Sequence, residues 1–141
     1  SIQGLLQPYG ETRVFNEILR CIIEKRDFIL KSDGSVKKCF LYSLDAIAAI
    51  FTVLFRGTSG QVYNATNPET FVSLRELAEH IFEKYCPELK VRYDIQDPEK
   101  IGFLPAFSFV QDNDKIKRLG WMPLKSPDDI YAVDIERFSD K

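Results

Sequence analysis

Apolar positions recur with a helical period from Val14 to Ile23. Val14, Phe15, Ile18, Leu19, Ile22 and Ile23 make one stripe, while Arg13, Glu17, Arg20 and Glu24 point elsewhere. The pattern predicts an amphipathic helix with Thr12 as its N-cap. The same spacing returns at Leu74, Leu77, Ala78, Ile81, Phe82 and Tyr85. Ser73 with Glu76 reads there as a capping box, and Pro87 stops the helix. A third helix, more uniformly apolar, is predicted from Ala46 to Phe55, with Asp45 as N-cap and Arg56-Gly57 at its end. Two further helices are expected near the C-terminus. One follows Asp112 and ends at Gly120-Trp121, where the tryptophan is expected to pack the last helices together. The other follows Ser126, with Pro127 at the first helical position.

Strand candidates between these helices are short. Phe28 to Leu30 ends at the turn Ser32-Asp33-Gly34-Ser35, and Val36 to Tyr42 reads as extended. Gln61 to Ala65 is a candidate bounded by Gly60 and Asn67-Pro68, and Lys90 to Ile95 alternates weakly, as a half-buried strand does. The first ten residues read as a strand exit or loop, and Asp97 to Phe109 is irregular. Helices thus alternate with very short strands. This predicts an α/β chain whose strands are too few for a self-sufficient sheet.

Composition narrows the function. The length of 141 residues suits one domain, residues 1–141, and 19 Lys+Arg against 21 Asp+Glu gives a net charge of -2. That balance lacks the cationic field of a nucleic-acid or membrane-surface binder. No apolar run reaches the roughly 18 residues of a membrane span, and Ser1-Ile2-Gln3 lacks the basic region of a signal peptide. Cys21, Cys39 and Cys86 form no CxxC pair, and His80 is the one histidine, so a zinc site is not expected. The cysteines read as reduced thiols of a cytoplasmic protein, and His80 as a solvated surface residue. Gly57-Thr58-Ser59-Gly60 follows a helix and leads to a strand, the reverse of the order that aims amides at a phosphate. No tyrosine is followed four residues later by lysine, and there is no nucleophile elbow. No catalytic, cofactor-binding or metal-binding residue is expected in this chain.

The order of the parts carries more. Tyr9-Gly10, the Ser32–Ser35 turn and Lys38-Cys39-Phe40-Leu41-Tyr42-Ser43-Leu44-Asp45-Ala46 resemble the second half of an extended short-chain dehydrogenase/reductase. Gly60-Gln61-Val62-Tyr63-Asn64 is similar to the return strand of those enzymes, and Asn67-Pro68-Glu69 with Ser73 to Ala78 to the stretch after it. Asp112-Asn113-Asp114-Lys115 through Leu119-Gly120-Trp121-Met122-Pro123 is similar to their closing helix. The resemblance runs collinearly along the chain. It is to the NAD-dependent epimerase/dehydratase family acting on nucleotide sugars, nearest in look to UDP-glucuronate decarboxylases and dTDP-glucose 4,6-dehydratases.

The resemblance implies an α/β fold: the helix-rich C-terminal lobe of an extended Rossmann-type nucleotide-sugar enzyme, without the N-terminal dinucleotide-binding sheet. NAD and the Tyr/Lys pair are then expected in an absent N-terminal half, and Val62-Tyr63-Asn64 in relatives pairs into that half's sheet. Left unpaired, this edge invites self-association into a homo-oligomer. The expected ligand is a UDP- or dTDP-linked sugar. Lys38 and Lys100 match family arginines that hold the diphosphate, Phe40 an aromatic near the base or ribose, and Tyr9 the tyrosine of a Tyr-Gly-Pro motif in which Glu11 stands for the proline. A lysine keeps the charge of an arginine but loses its two-pronged geometry. The plain readings stand beside these: Lys37 and Lys38 as solvated edge charges, Phe40 and Tyr42 as core.

The functional expectation is the substrate-binding portion of an NAD-dependent sugar-nucleotide epimerase, dehydratase or decarboxylase, inactive by itself. The alternative is a non-catalytic interaction module derived from that family with a degenerate phosphate site. Either way, the purified 141-residue chain is expected to convert no UDP- or dTDP-sugar when NAD is supplied. Chromatography of the nucleotide sugars after incubation checks this, and any NAD-dependent product contradicts it.

Overall fold

The computed structural model describes residues 1–4, 7–97 and 107–139. In chain order the elements are β1 (Ile2–Gln3), α1 (Val14–Ile23), β2 (Phe28–Leu30), β3 (Lys37–Lys38), β4 (Leu41–Tyr42) and α2 (Ser43–Arg56). A 3-10 turn over Pro68–Thr70 then leads to β5 (Val72–Ser73), α3 (Leu74–Tyr85), β6 (Val91–Tyr93), α4 (Asp114–Lys117) and α5 (Pro127–Ser139). Among the described residues the strands form three two-stranded ladders. β1 pairs with β4 and β2 with β6 in parallel, while β3 pairs with β5 antiparallel. Such short ladders bury little by themselves, so the helices carry the core.

α1 supplies Phe15, Ile18, Leu19 and Ile22 of the predicted stripe to that core, with Cys21 added and Val14 and Ile23 partly buried at its edge. α3 adds Leu77, Ala78, Ile81 and Phe82, and α5 adds Ile130, Tyr131 and Phe138. The buried Tyr131 ring stacks on Phe15 at 4.1 Å between centroids, and its hydroxyl donates to the Phe15 carbonyl at 2.9 Å. A buried phenol that finds such a partner avoids the desolvation penalty of an orphan hydroxyl. A smaller cluster of Leu41, Ala49, Ile116 and Trp121 seats α2 on the C-terminal segment.

Local chemistry explains the joints. Ser73 Oγ accepts the Glu76 amide at 3.1 Å and Glu76 Oε2 accepts the Ser73 amide at 2.8 Å, so the expected capping box forms. Ser126 and Asp129 make the equivalent exchange at the start of α5, with Pro127 at its first position. Gly34 sits at φ +67°, where a Cβ would come within 2.7 Å of Leu30, so the predicted turn needs its glycine.

Three expectations need correction. α1 begins at Val14 after Arg13, with no side-chain cap, so Thr12 lies outside the helix. α2 begins at Ser43, two residues before the predicted cap, and Asp45 is buried in its first turn. No strand forms over Gln61–Ala65, because no described strand lies beside that segment to close a ladder.

Removing the cap should be measurable: Ser73→Ala is expected to cost about 1 kcal/mol in urea unfolding. The box also sets a pH dependence. Hydrogen bonds from the Ser73 amide and Lys37 hold Glu76 down at about 2, below the unfolded value. Its contribution is therefore complete above about pH 4.5 and is lost as pH falls toward 2. The melting-temperature gap between the wild type and Glu76→Gln should close over that interval.

Candidate functional site

β3 forms one wall of a cleft of about 210 Å³, whose lining includes Lys37, Lys38, Thr66, Phe107 and Phe109. The ladder to β5 sets Lys37 opposite Ser73 and Lys38 opposite Val72. Successive strand residues point to opposite sides. Lys37 reaches Glu76 at 3.1 Å and is neutralised there. Among the described residues no carboxylate pairs with Lys38, which is exposed. Lys38 thus brings to the cleft a cation that no described carboxylate pairs with.

Aromatic surface lies across from it. Phe107 and Phe109 are 73% and 54% exposed and stack on each other at 5.3 Å, 26° from parallel. Between them Ser108 Oγ accepts the Lys37 amide at 2.9 Å, which ties this segment to β3. Exposed stacked phenylalanines and a lysine lining one cleft can offer a flat apolar face and a charge to a ligand. The stretch reads as irregular in sequence, and the alternating Phe107-Ser108-Phe109 is its one local signal.

The other sequence-predicted residues go elsewhere. Phe40 is 2% exposed, tilted against Phe15 at 5.9 Å. Its amide donates to Thr70 Oγ1 at 2.8 Å, so it anchors the strand from the core side. It does not line the cleft that Lys38 lines. Tyr9 is half-buried against Phe138, at 5.3 Å between ring centroids, and its hydroxyl donates to Glu24 at 3.0 Å. Burial, and then the bond to Glu24, raises its pKa. Arg20 donates to the carbonyls of Tyr9 and Glu11 and pairs with Glu17, pinning the Tyr9-Gly10-Glu11 turn onto α1. Glu11 itself pairs with Arg13 at 3.4 Å. Lys100 lies outside the described residues.

Asp45 has a different job from the one its position suggests. Its Oδ2 accepts the amides of Leu124 and Lys125 at 3.0 and 3.1 Å, and its carbonyl accepts the Trp121 indole N–H at 3.0 Å. Trp121 therefore docks the C-terminal segment on α2. A second cleft, about 400 Å³, opens where α3 meets the start of α5. There Asp128 accepts from Lys84 at 3.0 Å and meets His80 at 2.9 Å, so the exposed histidine is tied to α5.

One surface stands out by its chemistry. Leu44, Ile47, Ile50, Phe51, Leu54 and Phe55 are all exposed along α2, and Val62 is exposed in the extended segment after it. Phe51 and Phe55 stack at 6.2 Å in the open. Monomeric surfaces rarely leave so continuous an apolar face uncovered. No helix among the described residues is long and apolar enough to cross a membrane.

The architecture is that of part of the extended short-chain dehydrogenase/reductase fold. RMD from Pseudomonas aeruginosa, solved with NADPH, matches with a TM-score of 0.82 at 18% identity, over 99% of this chain and 46% of that one. dTDP-glucose 4,6-dehydratase from Bacillus anthracis, in complex with NAD, matches at 0.76 and 17%, over 99% and 42%. UDP-glucuronic acid 4-epimerase from Bacillus cereus, in complex with UDP-glucuronic acid and NAD, matches at 0.73 and 18%, over 99% and 43%. The chain thus spans less than half the length of these solved structures. No family profile matches it. At these identities the likeness establishes the fold, as the sequence resemblance implies.

The two readings of β3 separate in stability. Phe40→Ala should cost about 3–5 kcal/mol, as a large core deletion does. Lys38→Ala should change stability by less than about 0.5 kcal/mol. Urea denaturation of both variants checks the pair.

Proposed function

We propose that this chain is the nucleotide-sugar-binding portion of an NAD-dependent sugar-nucleotide epimerase, dehydratase or decarboxylase, completed by a Rossmann-type domain. The observation that carries the reading is the β3 cleft, which Lys38 lines together with the stacked Phe107 and Phe109. A nucleoside diphosphate sugar needs an anion partner for its phosphates and a flat face for its base or ribose, and this cleft supplies both. Lys38 is the residue proposed to hold a phosphate. Lys100 remains a proposed second phosphate ligand, whereas Phe40 packs against Phe15 and Tyr9 against Phe138, outside the lining of this cleft. The solved epimerase with UDP-glucuronic acid supports the ligand class.

The Gly57–Gly60 segment does not suit a dinucleotide pyrophosphate. The Gly57–Gly60 segment follows the C-terminus of α2, where carbonyls are offered rather than the amides a pyrophosphate requires. The cofactor and its hydride chemistry belong to the proposed partner domain, and no reaction step is assigned to this chain. Its own contribution is to grip and orient the sugar nucleotide, and such positioning lowers a barrier by several kcal/mol. The exposed face of α2 and the open backbone of 61–65 are the proposed seat of that domain: α2 covers a sheet face and the extended segment joins its edge. Without it, the same face drives self-association. A cytoplasmic location is part of this proposal.

The expected result is that UDP or dTDP shifts amide resonances around Lys38, Phe107 and Phe109 in an NMR titration of the protein. Lys38→Glu should weaken nucleotide binding about tenfold or more, the loss of one charge-assisted contact, without lowering the melting temperature. Absence of any shift at β3 would overturn the site and leave the interaction module as the better reading.

A further inference from the structure

After α1 the backbone reverses through Lys25, the one non-glycine residue with positive φ (54°) among the described residues. A residue with a Cβ adopts that conformation only where its surroundings hold it there. The turn brings the Lys25 ammonium to Cys86, the residue that closes α3, with Nζ 2.9 Å from Sγ across 61 positions of sequence. Glu88 stands beside the pair, its Oε1 3.6 Å from the same nitrogen. Cys86 is 2% exposed while the Lys25 side chain is 64% exposed, so the sulfur lies just beneath the surface under the amine. A thiol, an amine and a carboxylate thus meet at one point joining the ends of two core helices.

Neither of the other cysteines has a lysine ammonium bonded to its sulfur among the described residues. Cys21 is buried against Arg26, with Nη1 3.2 Å from Sγ, and burial pushes its thiol up to about 11. A guanidinium stays protonated and supplies no nucleophilic nitrogen. Cys39 is half-buried in the strand segment beside Lys38.

We propose that Lys25 and Cys86 form a reversible covalent sulfur–nitrogen bridge when the protein meets hydrogen peroxide, with Glu88 as the proton acceptor. In the first step peroxide transfers an oxygen to Cys86. The O–O bond breaks, an S–O bond forms, and the thiol proton leaves with the released hydroxide as water. Sulfur is oxidised by two electrons and peroxide is reduced, leaving a sulfenic acid. In the second step Glu88 takes a proton from the Lys25 ammonium, and the freed lone pair attacks sulfur. The S–N bond forms as the S–O bond breaks. The hydroxyl leaves as water with a second proton from the nitrogen, and no further oxidant is consumed. A thiol reductant reverses the bridge by attacking sulfur and returning the amine. Because the bridge closes a long loop, it limits the unfolded chain and raises the melting temperature, as a disulfide does.

The test is peroxide treatment of the full chain, proteolysis without reductant and tandem mass spectrometry. The expected product is a peptide holding Lys25 joined to one holding Cys86, lighter by two hydrogens than their sum and uncut after Lys25. Dithiothreitol should release it and lower the melting temperature of the treated protein to that of the untreated. Lys25→Arg, which keeps the charge, and Cys86→Ser should lack it, and Glu88→Gln should form it more slowly. Recovery of Cys86 as sulfinic acid with Lys25 unmodified would overturn the proposal, as would oxidation confined to Cys39. A bridge retaining an oxygen atom would overturn the direct sulfur–nitrogen bond. The wild-type digest decides these outcomes even if a variant fails to fold.

Discussion

α1 is the element against which the other long core helices are placed, and its contact with Tyr131 shows how. The phenol ring stacks on Phe15 and its hydroxyl closes on the Phe15 carbonyl, so α5 is held in both position and rotation. α3 also contacts α1 and adds Leu77, Ala78 and Ile81 to the same core, and β2 follows α1 closely in sequence. The ladders then form at the margins of this helical core, each only two strands wide. Their hydrogen bonds satisfy backbone that the helices bring near, and little of the buried apolar surface is theirs.

That arrangement explains where the candidate site lies. β3 and β5 form an antiparallel ladder at the start of α3, and the Ser73–Glu76 capping box joins ladder to helix. The same Glu76 neutralises Lys37. One carboxylate therefore caps a helix and pairs with one of two adjacent lysines, which leaves Lys38 as the lysine without a carboxylate partner in the cleft that Phe107 and Phe109 also line. Adjacent residues of a two-residue strand thus differ, one paired with a carboxylate and one without such a partner.

The α2 face is the counterpart. α2 buries Asp45 and Ala49 on its inner side, where Asp45 and Trp121 hold the C-terminal segment, and turns six large apolar residues outward. The extended segment after it finds no ladder partner among the described residues. Both features agree with a chain that spans less than half the length of the solved structures sharing its fold. The near-neutral overall charge conceals this face, because the surface is unusual in its apolar continuity rather than its charge.

Much of the local structure is legible from residues alone. The period of α1 and α3, the capping box, the Ser32–Ser35 turn and Pro127 at a helix start depend on neighbours within a few positions, and all appear as expected. The collinear motifs also point to the fold. Long-range partners are not legible. Asp45 looks like a cap by sequence but serves amides near residue 125, Thr12 loses its place to an uncapped helix start, and Gln61–Ala65 lacks a neighbour. At the site, Lys38 was visible by motif, whereas Phe107 and Phe109 gain meaning only when the Lys37 amide docks their segment beside β3. Sequence by itself determined the periods of α1 and α3, the Ser32–Ser35 turn and the Ser73–Glu76 cap, because those energies are local. Only the tertiary structure decided which charge stays free, which aromatic is buried and which face is left open, because each depends on groups far apart along the chain.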